Sequence, residues 1–245
     1  MKKTADLLRT EIAHGKWLSN HDPIRQWGWG TPAGRLRAKR RVALIVRAGG
    51  LGPGRRVLEI GCGTGMFTEW LAQTGAEILA VDLSADLLAL ARERRLPPGR
   101  VVFLERPFEE CGGLGPFDAI VGSSVLHHLE CPAALTRIFE MLRPGGRLGF
   151  CEPNRLNPQV WFCLKFRRYF PQYSPEEGAF VRWNLARQLA AAGFSDIGIT
   201  AFDWLHPAVP RPLIRAVKAA EWVCERTPGI REFAGSLCVA AGKPG

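Results

Sequence analysis

Residues 57–65 of the chain read Val-Leu-Glu-Ile-Gly-Cys-Gly-Thr-Gly, and this stretch decides the fold. Its apolar start is typical of a buried strand, and Met66–Ala72 after it has the pattern of a helix. The three glycines between them, Gly61, Gly63 and Gly65, tolerate positive φ angles and let the backbone approach a ligand closely. The first N–H groups of the helix lack partners within the helix and can donate to that ligand. The stretch therefore predicts a strand, a turn and a helix that together bind a small molecule.

Two acidic residues indicate which kind of small molecule would bind there. Glu59 precedes the first glycine by two residues, where a carboxylate opposes a pyrophosphate but suits a ligand with an ammonium group. Asp82 ends a second apolar strand, Ile78–Val81, and a carboxylate at that point can accept two hydrogen bonds from a ribose diol. A dinucleotide-binding turn reads G-x-G-x-x-G, whereas this turn reads G-x-G-x-G. The two acids predict a nucleoside with a positively charged, amino-acid-like arm.

Four motifs in order along the chain resemble those of class I S-adenosylmethionine-dependent methyltransferases, namely Glu59–Gly65, Val81-Asp82, Phe117–Ile120 and Leu142–Gly146. The resemblance covers roughly residues 35–200 and the last strand, and it points to the group called type 11, similar to the methyltransferases of ubiquinone and menaquinone biosynthesis. It implies an α/β, Rossmann-like fold with a seven-stranded, mostly parallel sheet in the order 3-2-1-4-5-7-6, the last strand antiparallel and helices on both faces. It also implies S-adenosyl-L-methionine as the cofactor and S-adenosyl-L-homocysteine as the product.

The resemblance also implies which residues contact the cofactor, and one pair departs from the family pattern. An aspartate and a small residue usually follow the third strand and bind the adenine, but Pro107 and Phe108 occupy these positions. Because proline offers no side-chain acceptor, we expect either Glu105 or Glu109 to bind the adenine amino group, or only the Phe108 N–H and ring stacking to remain. The full set of predicted cofactor contacts is Trp29, Glu59, Gly61, Cys62, Gly63, Gly65, Asp82, Leu83, Pro107, Phe108 and Ser123.

Three residues after the fourth and fifth strands are candidate catalytic groups. His127 and His128 lie beside the methyl donor in the resemblance, and a histidine can deprotonate a hydroxyl near neutral pH. We expect His127 slightly before His128 in this role; the alternative is that one histidine packs over the cofactor or caps a helix. Glu152 stands at the tip of the fifth strand, where it would act as a second candidate base, bind an amine of the substrate, or only order its loop. No N-P-P-Y motif follows the fourth strand, which argues against methylation of base amines or glutamine.

The remaining segments predict a cap over the domain. Residues 1–34 form an N-terminal lid in this interpretation, with Trp27 and Trp29 either as an aromatic wall that excludes water or as simple packing anchors. Residues 35–245 form the methyltransferase domain, with cap insertions at about 153–181 and 203–235. The first insertion interleaves aromatic and basic residues, which suits a bulky apolar acceptor with an anionic group, or a membrane surface. Within it, Ser174-Pro175-Glu176-Glu177 has the spacing of a capping box and predicts the start of a helix.

Composition sets the broad class of the protein. A chain of 245 residues with 47% hydrophobic and 23% charged residues suits one sizeable α/β domain with additions. No apolar run reaches the roughly 18 to 20 residues of a membrane span, and no apolar segment of signal-peptide type follows Met1-Lys2-Lys3. The seven cysteines are scattered without a C-x-x-C pair, so neither a metal site nor a disulfide framework is predicted. A reducing cytoplasm is the expected location.

The formal charge of +10 leaves more than one function open. It suits an anionic partner, or it reflects an arginine-rich, solvated surface. Our leading hypothesis is methyl transfer to a small hydrophobic acceptor of lipid or quinone type, with O-, N- and C-methylation all open and peripheral membrane contact allowed. One alternative is an RNA methyltransferase, although no RNA-binding motif is visible and no stable nucleic-acid partner is expected. Another is a regulatory protein that binds the cofactor without turnover, which the departure at Pro107 would support.

Overall fold

The computed structural model of the protein describes residues 2–175 and 177–245. Seven strands form one sheet in the order β3-β2-β1-β4-β5-β7-β6. Strands β1 to β5 pair in parallel, and β7 runs antiparallel between β5 and β6. This confirms the predicted Rossmann-like sheet, its strand order and its antiparallel last strand. The strands are β1 Arg56–Ile60, β2 Glu77–Asp82, β3 Val101–Glu105, β4 Phe117–Ser123, β5 Leu142–Pro153, β6 Ser195–Phe202 and β7 Ser236–Gly242.

Helices cover both faces of the sheet and enclose an apolar core on each. Along β4, Ile120 belongs to one core and Val121 to the other, because successive side chains of a strand point to opposite faces. Helices α3, α4 and α5 pack on one face, and α6 and α8 pack on the other. Their bounds are α1 Lys2–Ser19, α2 Pro23–Gln26, α3 Pro32–Gly49, α4 Met66–Leu71, α5 Ala85–Arg92, α6 Cys131–Met141, α7 Pro158–Lys165, α8 Arg182–Ala191 and α9 Ile214–Cys224.

Helix α3 begins within the segment that the sequence interpretation assigned to the N-terminal lid. The Thr31 hydroxyl accepts a hydrogen bond from Gly34 N at 2.9 Å, and Pro32 occupies the first turn, so the helix starts before the arginine run. The predicted boundary between residues 34 and 35 therefore falls inside α3. The helix ends at Gly50, whose φ of 63° is the left-handed conformation that stops a helix.

The predicted capping box at residues 174–177 does not start a helix, and this prediction was wrong. Helix α8 begins only at Arg182, and residues 177–179 form no regular element. Glu176 lies outside the described residues. Ser174 is fully buried and its hydroxyl lies 3.5 Å from His128 Nδ1. Its side chain therefore packs in the protein interior and does not cap a helix.

The carboxyl ends of the parallel strands meet at one edge of the sheet, where ligands bind in open α/β folds. Three segments lie over this edge: residues 2–31, which contain α1 and α2, the insertion 153–181 with α7, and the insertion 203–235 with α9. Helix α1 packs on α5 closely enough that a Cβ atom on Gly15 would lie 2.6 Å from the Ser84 hydroxyl. Among the described residues, none of the helices is long and apolar enough to cross a membrane.

Candidate active site

A cavity of about 780 Å3 lies between the sheet edge and the three covering segments. Sites for small molecules span about 300–1,000 Å3, so this volume is sufficient for a cofactor and an acceptor together. Glu59, Gly65 and Pro107 are not among its lining residues. Eight predicted cofactor contacts do line it: Trp29, Gly61, Cys62, Gly63, Asp82, Leu83, Phe108 and Ser123. The contacts themselves stay predictions, but the fold brings most of these residues to one cavity.

The glycine turn after β1 needs each of its glycines for a different reason. All three have positive φ angles, 66° at Gly61, 51° at Gly63 and 68° at Gly65. A Cβ atom on Gly61 would lie 2.5 Å from the side chain of Val125, and one on Gly65 would lie 2.9 Å from Ala91. Gly63 borders the cavity as Gly61 does, but a Cβ atom there would meet only the ring of Trp27, at 3.5 Å. The outer two glycines therefore permit close packing, and the middle one keeps the wall of the cavity open.

Asp82 holds the glycine turn and still faces the cavity. Its Oδ2 accepts a hydrogen bond from Gly63 N at 2.7 Å, and its Oδ1 accepts one from Ser84 N at 2.9 Å. Each carboxylate oxygen has a second lone pair, so both can also accept a hydroxyl hydrogen bond. Burial raises the pKa of Asp82, and the two backbone donors oppose that rise.

Glu59 lies behind the turn and does not line the cavity. It is 3% exposed, and its Oε2 has no hydrogen-bond partner among the described residues. Burial raises the pKa of Glu59 to about 7, and the charge of Asp82 adds to the rise. A buried carboxylate of this kind would be ionised more readily when a cation binds in front of it.

His127 is enclosed by two carboxylates and does not line the cavity. Its Nδ1 lies 2.6 Å from Glu152 Oε2, and its Nε2 lies 3.1 Å from Glu177 Oε1. Burial alone would lower the pKa of His127, but the hydrogen bonds to these two carboxylates raise it to about 10. Glu152 is itself fully buried, and its Oε1 accepts hydrogen bonds from Val125 N and Leu126 N, both at 3.0 Å. In this arrangement neither His127 nor Glu152 is free to take a proton from a ligand in the cavity.

His128 is the candidate base that lines the cavity. Its Nδ1 lies 3.3 Å from Glu11 Oε1 of α1, and its Nε2 lies 3.7 Å from Glu177 Oε2. The two histidine rings are tilted against each other with centroids 4.2 Å apart. The sequence interpretation put His127 slightly ahead, whereas the structure gives access to His128. The catalytic role of either histidine stays a prediction.

Two arginines of α3 complete the wall of the cavity. Arg37 makes a bidentate ion pair with Asp203, at 2.7 Å between Arg37 Nη2 and Asp203 Oδ2. Arg41 is 3% exposed and donates from Nη1 to the hydroxyls of Ser123 and Ser124 at 2.9 and 3.0 Å. Both guanidinium groups lie over the ring of Trp29, 5.4 and 5.6 Å from its centroid. Trp29 is thereby held at the wall of the cavity.

Comparisons with known proteins show what the chain is similar to. The family described as "Methyltransferase domain" matches residues 58–148. The chain is 35% identical over 158 residues to a ubiquinone biosynthesis O-methyltransferase of Xanthomonas axonopodis pv. citri, which covers 62% of this chain and 64% of that protein. A protein of the same name from Acinetobacter baumannii is 28% identical over 222 residues, with 83% and 91% covered. The family match and the relatives support the assignment of this chain to the class I S-adenosylmethionine-dependent methyltransferases.

A solved structure shows the same fold as this methyltransferase. The N-methyltransferase NodS from Bradyrhizobium japonicum, in complex with S-adenosyl-L-homocysteine, has a TM-score of 0.63 and 21% identity. The match covers 96% of this chain and 99% of NodS. At this identity the likeness supports the fold, which agrees with the strand order described above.

Two buried polar groups of this methyltransferase suit S-adenosylmethionine. Glu109 lines the cavity, and its Oε2 is a buried acceptor without a partner in the described part of the chain. It can accept a hydrogen bond from the adenine amino group, which Pro107 cannot do. Glu105, the other candidate, is exposed and does not line the cavity. Arg41 Nε is a buried donor that likewise lacks a partner there and suits the cofactor carboxylate. The residues present therefore fit the cofactor.

Sequence reasoning missed Glu11 and Glu177 as components of the site. Glu11 lies in α1, within the segment that the sequence predicted only as a lid, and Glu177 lies in the predicted capping box. Neither position has a local motif for the site, because each reaches His128 only through the tertiary fold. Sequence reasoning also missed Arg41, because nothing in the basic run of residues 35–41 distinguishes the arginine whose side chain is buried.

Proposed function

We propose that this methyltransferase transfers the methyl group of S-adenosylmethionine to a hydroxyl group of a small, hydrophobic, quinol-like molecule. The observation that carries the proposal is the composition of one cavity. The same cavity contains the glycine turn, the polar pair His128 and Glu177, and a set of apolar side chains from the covering segments. This apolar set is Leu8, Leu18, Val160, Leu164, Tyr173, Trp204 and Leu205.

The names of the relatives support an oxygen acceptor. Two relatives from different bacteria are named ubiquinone biosynthesis O-methyltransferases, a name that gives oxygen as the methylated atom and ubiquinone as the product of the pathway. The chain spans 64% of the length of the Xanthomonas protein and 48% of a Sodalis glossinidius protein of the same name. The acceptor class is therefore our inference from the cavity together with these names.

Methyl transfer is an in-line displacement at carbon, and the sulfonium already activates the methyl group. The protein mainly has to hold the acceptor oxygen behind that carbon in a dry cavity. The hydroxyl must also lose its proton, and His128 and Glu177 are polar groups with access to the cavity. An enclosed His127 and Glu152 keep the loop after β4 fixed, which holds these groups in position.

Two observations disfavour the alternative functions. The basic run of α3 is largely directed inward, since Arg37 pairs with Asp203, Arg40 pairs with Glu225 and Arg41 is buried. It therefore offers little of the positive surface that an RNA methyltransferase needs. The alternative of a regulatory protein without turnover was supported only by Pro107, which lacks an acceptor for the adenine. Glu109 offers such an acceptor at the cavity, so this support is removed.

We also propose that the first insertion contacts a membrane surface, where a lipid-like acceptor would be found. Trp161 and Phe162 of α7 are each 48% exposed, and Tyr169 is 65% exposed. The cations Lys165 and Arg168 lie over the rings of Trp161 and Tyr169, at 4.8 and 4.7 Å from the centroids. An exposed face of aromatic and basic side chains suits the interface of an anionic membrane.

The test is incorporation of a tritiated methyl group from S-adenosylmethionine into a cell lysate that is then separated into lipid, nucleic-acid and polar fractions. We expect label in the lipid fraction with the wild-type protein and at least a tenfold loss with His128→Gln. Label mainly in RNA would replace the proposal by the first alternative. Cofactor binding by titration without label in any fraction would favour the regulatory alternative.

A further inference from the structure

A cluster of three side chains at the cavity has the composition of a metal site. His127, His128 and Glu177 each offer one donor atom, and these atoms lie within 4.8 Å of one another. His127 Nε2 is 3.1 Å from Glu177 Oε1, and His128 Nε2 is 3.7 Å from Glu177 Oε2. We propose that these three residues bind a divalent first-row cation of the Zn2+ type at the wall of the cavity.

The outer nitrogen of each histidine has a carboxylate partner, as metal-binding histidines usually do. His127 Nδ1 lies 2.6 Å from Glu152 Oε2, and His128 Nδ1 lies 3.3 Å from Glu11 Oε1. When a cation binds, the Nε2 proton of His127 passes to solvent, the carboxylate at Nδ1 keeps the other proton in place, and the lone pair of Nε2 becomes available to the cation. Both Nε2 atoms approach the same carboxylate, Glu177, one at each oxygen, so the three donor groups border one small space.

The second carboxylate is itself held in place. Glu152 accepts hydrogen bonds from Val125 N and Leu126 N, so its position relative to His127 is set by the backbone of the loop. This support is what a site needs if its ligands are to be fixed before the cation arrives. Without the cation, the same groups satisfy one another by the hydrogen bonds observed here.

Two imidazoles and one carboxylate form a donor set that leaves further coordination positions open. Ligands about 2.1 Å from a tetrahedral Zn2+ lie about 3.4 Å from each other, between the 3.1 Å from His127 Nε2 to Glu177 Oε1 and the 3.7 Å from His128 Nε2 to Glu177 Oε2. His128 and Glu177 line the cavity, so the open positions face the space where a ligand binds. Imidazole nitrogen favours Zn2+, Co2+ or Fe2+ over Mg2+ and Ca2+, which prefer oxygen donors.

The role of the cation rests on the proposed function, whereas its binding does not. An acceptor hydroxyl at an open position would lose its proton to water more readily, because the cation stabilises the resulting oxyanion. The oxygen lone pair then forms a bond to the methyl carbon. The carbon–sulfur bond breaks with its electron pair passing to sulfur, which yields the neutral thioether product. The reaction consumes only the acceptor and the cofactor, and the proton passes to water.

The test measures Zn2+ binding to the full chain after removal of metals with a chelator, by calorimetry and without acceptor. We expect one equivalent to bind, and Co2+ in its place to give the visible absorption of a nitrogen- and oxygen-coordinated ion. His128→Gln and Glu177→Gln should lower the affinity at least 100-fold, and Glu11→Gln, which changes an outer carboxylate, about 10- to 100-fold. Mg2+ at the same concentration should not compete.

The matched control is His206→Gln, since His206 lines the same cavity outside the cluster and should leave Zn2+ affinity unchanged. Thermal unfolding and cofactor titration show whether each variant is folded. Absent Zn2+ binding, or equal affinity in the wild type and His128→Gln, overturns the proposal. A crystal soaked with Zn2+ gives a second measurement, in which an anomalous peak between the three residues supports the site and its absence there rejects it. Failure of methyl transfer with Zn2+ bound would reject the proposed function and leave this site intact.

Discussion

The guanidinium group of Arg37 and the carboxylate of Asp203 face each other as two parallel hydrogen-bonded pairs. The distances are 2.9 Å between Arg37 Nε and Asp203 Oδ1 and 2.7 Å between Nη2 and Oδ2. Arg37 belongs to a helix that packs on the sheet, and Asp203 is the first residue of the second insertion. The pair therefore fastens this insertion to the domain at the wall of the cavity.

Arg37→Met should destabilise the protein by about 3 kcal/mol, because it leaves the carboxylate of Asp203, only 3% exposed, without its ion-pair partner. Urea unfolding followed by circular dichroism measures the change. The control Arg35→Met alters an exposed arginine of the same helix and should cost less than about 0.5 kcal/mol. Adding Asp203→Asn to Arg37→Met should recover part of the loss. Equal stability of the two single variants would show that the pair does not fasten the insertion.

Asp82→Ala should weaken S-adenosylmethionine binding by about 1.5 to 3 kcal/mol, since it removes a charged acceptor of hydroxyl hydrogen bonds and loosens the turn at Gly63. Isothermal titration measures the affinity. Asp86→Asn is the matched control, because Asp86 is an exposed acid of the next helix and should leave affinity unaltered. An Asp82→Ala protein that binds the cofactor like the wild type would remove Asp82 from the binding site.

Glu59 should make the stability of the cofactor-free protein fall as pH rises. Its pKa is about 7 in the folded protein against an ordinary value of 4.5, so the folded state holds more protons between these values. The free energy of unfolding therefore decreases as the pH rises from about 4.5 to about 7 and stays at the lower value above that range. The total decrease is at most about 3 kcal/mol. The stability of Glu59→Gln relative to the wild type should therefore increase from pH 5 to pH 8.

Unfolding temperatures measured over this pH range test the expectation for Glu59. Glu77→Gln, at an exposed position of β2, should keep the pH dependence of the wild type. If Glu59→Gln and the wild type changed in parallel with pH, the buried carboxyl would not be the group that titrates.

Trp161→Ala together with Tyr169→Ala should reduce sedimentation with anionic phospholipid vesicles several-fold, because both aromatic side chains lie on the exposed face of the first insertion. Lys165→Glu should reduce it further, by about 1 kcal/mol or more at low salt. Trp183→Ala is the control, since Trp183 is 50% exposed but belongs to α8 outside that insertion. A wild-type protein that stays in solution with such vesicles would exclude the membrane contact.

The sheet could be predicted from sequence because its determinants are local. The apolar run before Gly61 and the strand ending at Asp82 each carry their own signal, and the order of motifs fixes the order of strands. The turn glycines could also be placed, since a positive φ and a close packing contact both require the missing side chain. Most of the cofactor wall follows from these short stretches.

The residues on the acceptor side of the cavity could be predicted less completely from the sequence. His127 and His128 are neighbours in a short 3-10 turn, and only the fold decides that the second faces the cavity while the first faces Glu152. Glu177 lies fifty residues further along the chain from His127. Its role depends on the path of an insertion that has no periodic pattern. The sequence left Glu105 and Glu109 both open as acceptors for the adenine, and only the fold, with a short 3-10 turn at 108–110, shows that Glu109 lines the cavity and Glu105 does not.

The cavity has two walls of different origin, and this division has an evolutionary consequence. The sheet edge supplies the wall that binds the methyl donor, and α1 and the two insertions supply the opposite wall. Polar contacts such as the ion pair of Arg37 and Asp203 connect this second wall to the domain. Exchange of residues 153–181 with the equivalent segment of a relative should thus transplant acceptor preference without disturbing the methyl donor. New substrates in this lineage would then arise by replacing one interchangeable module, while the catalytic platform beneath it is inherited unchanged.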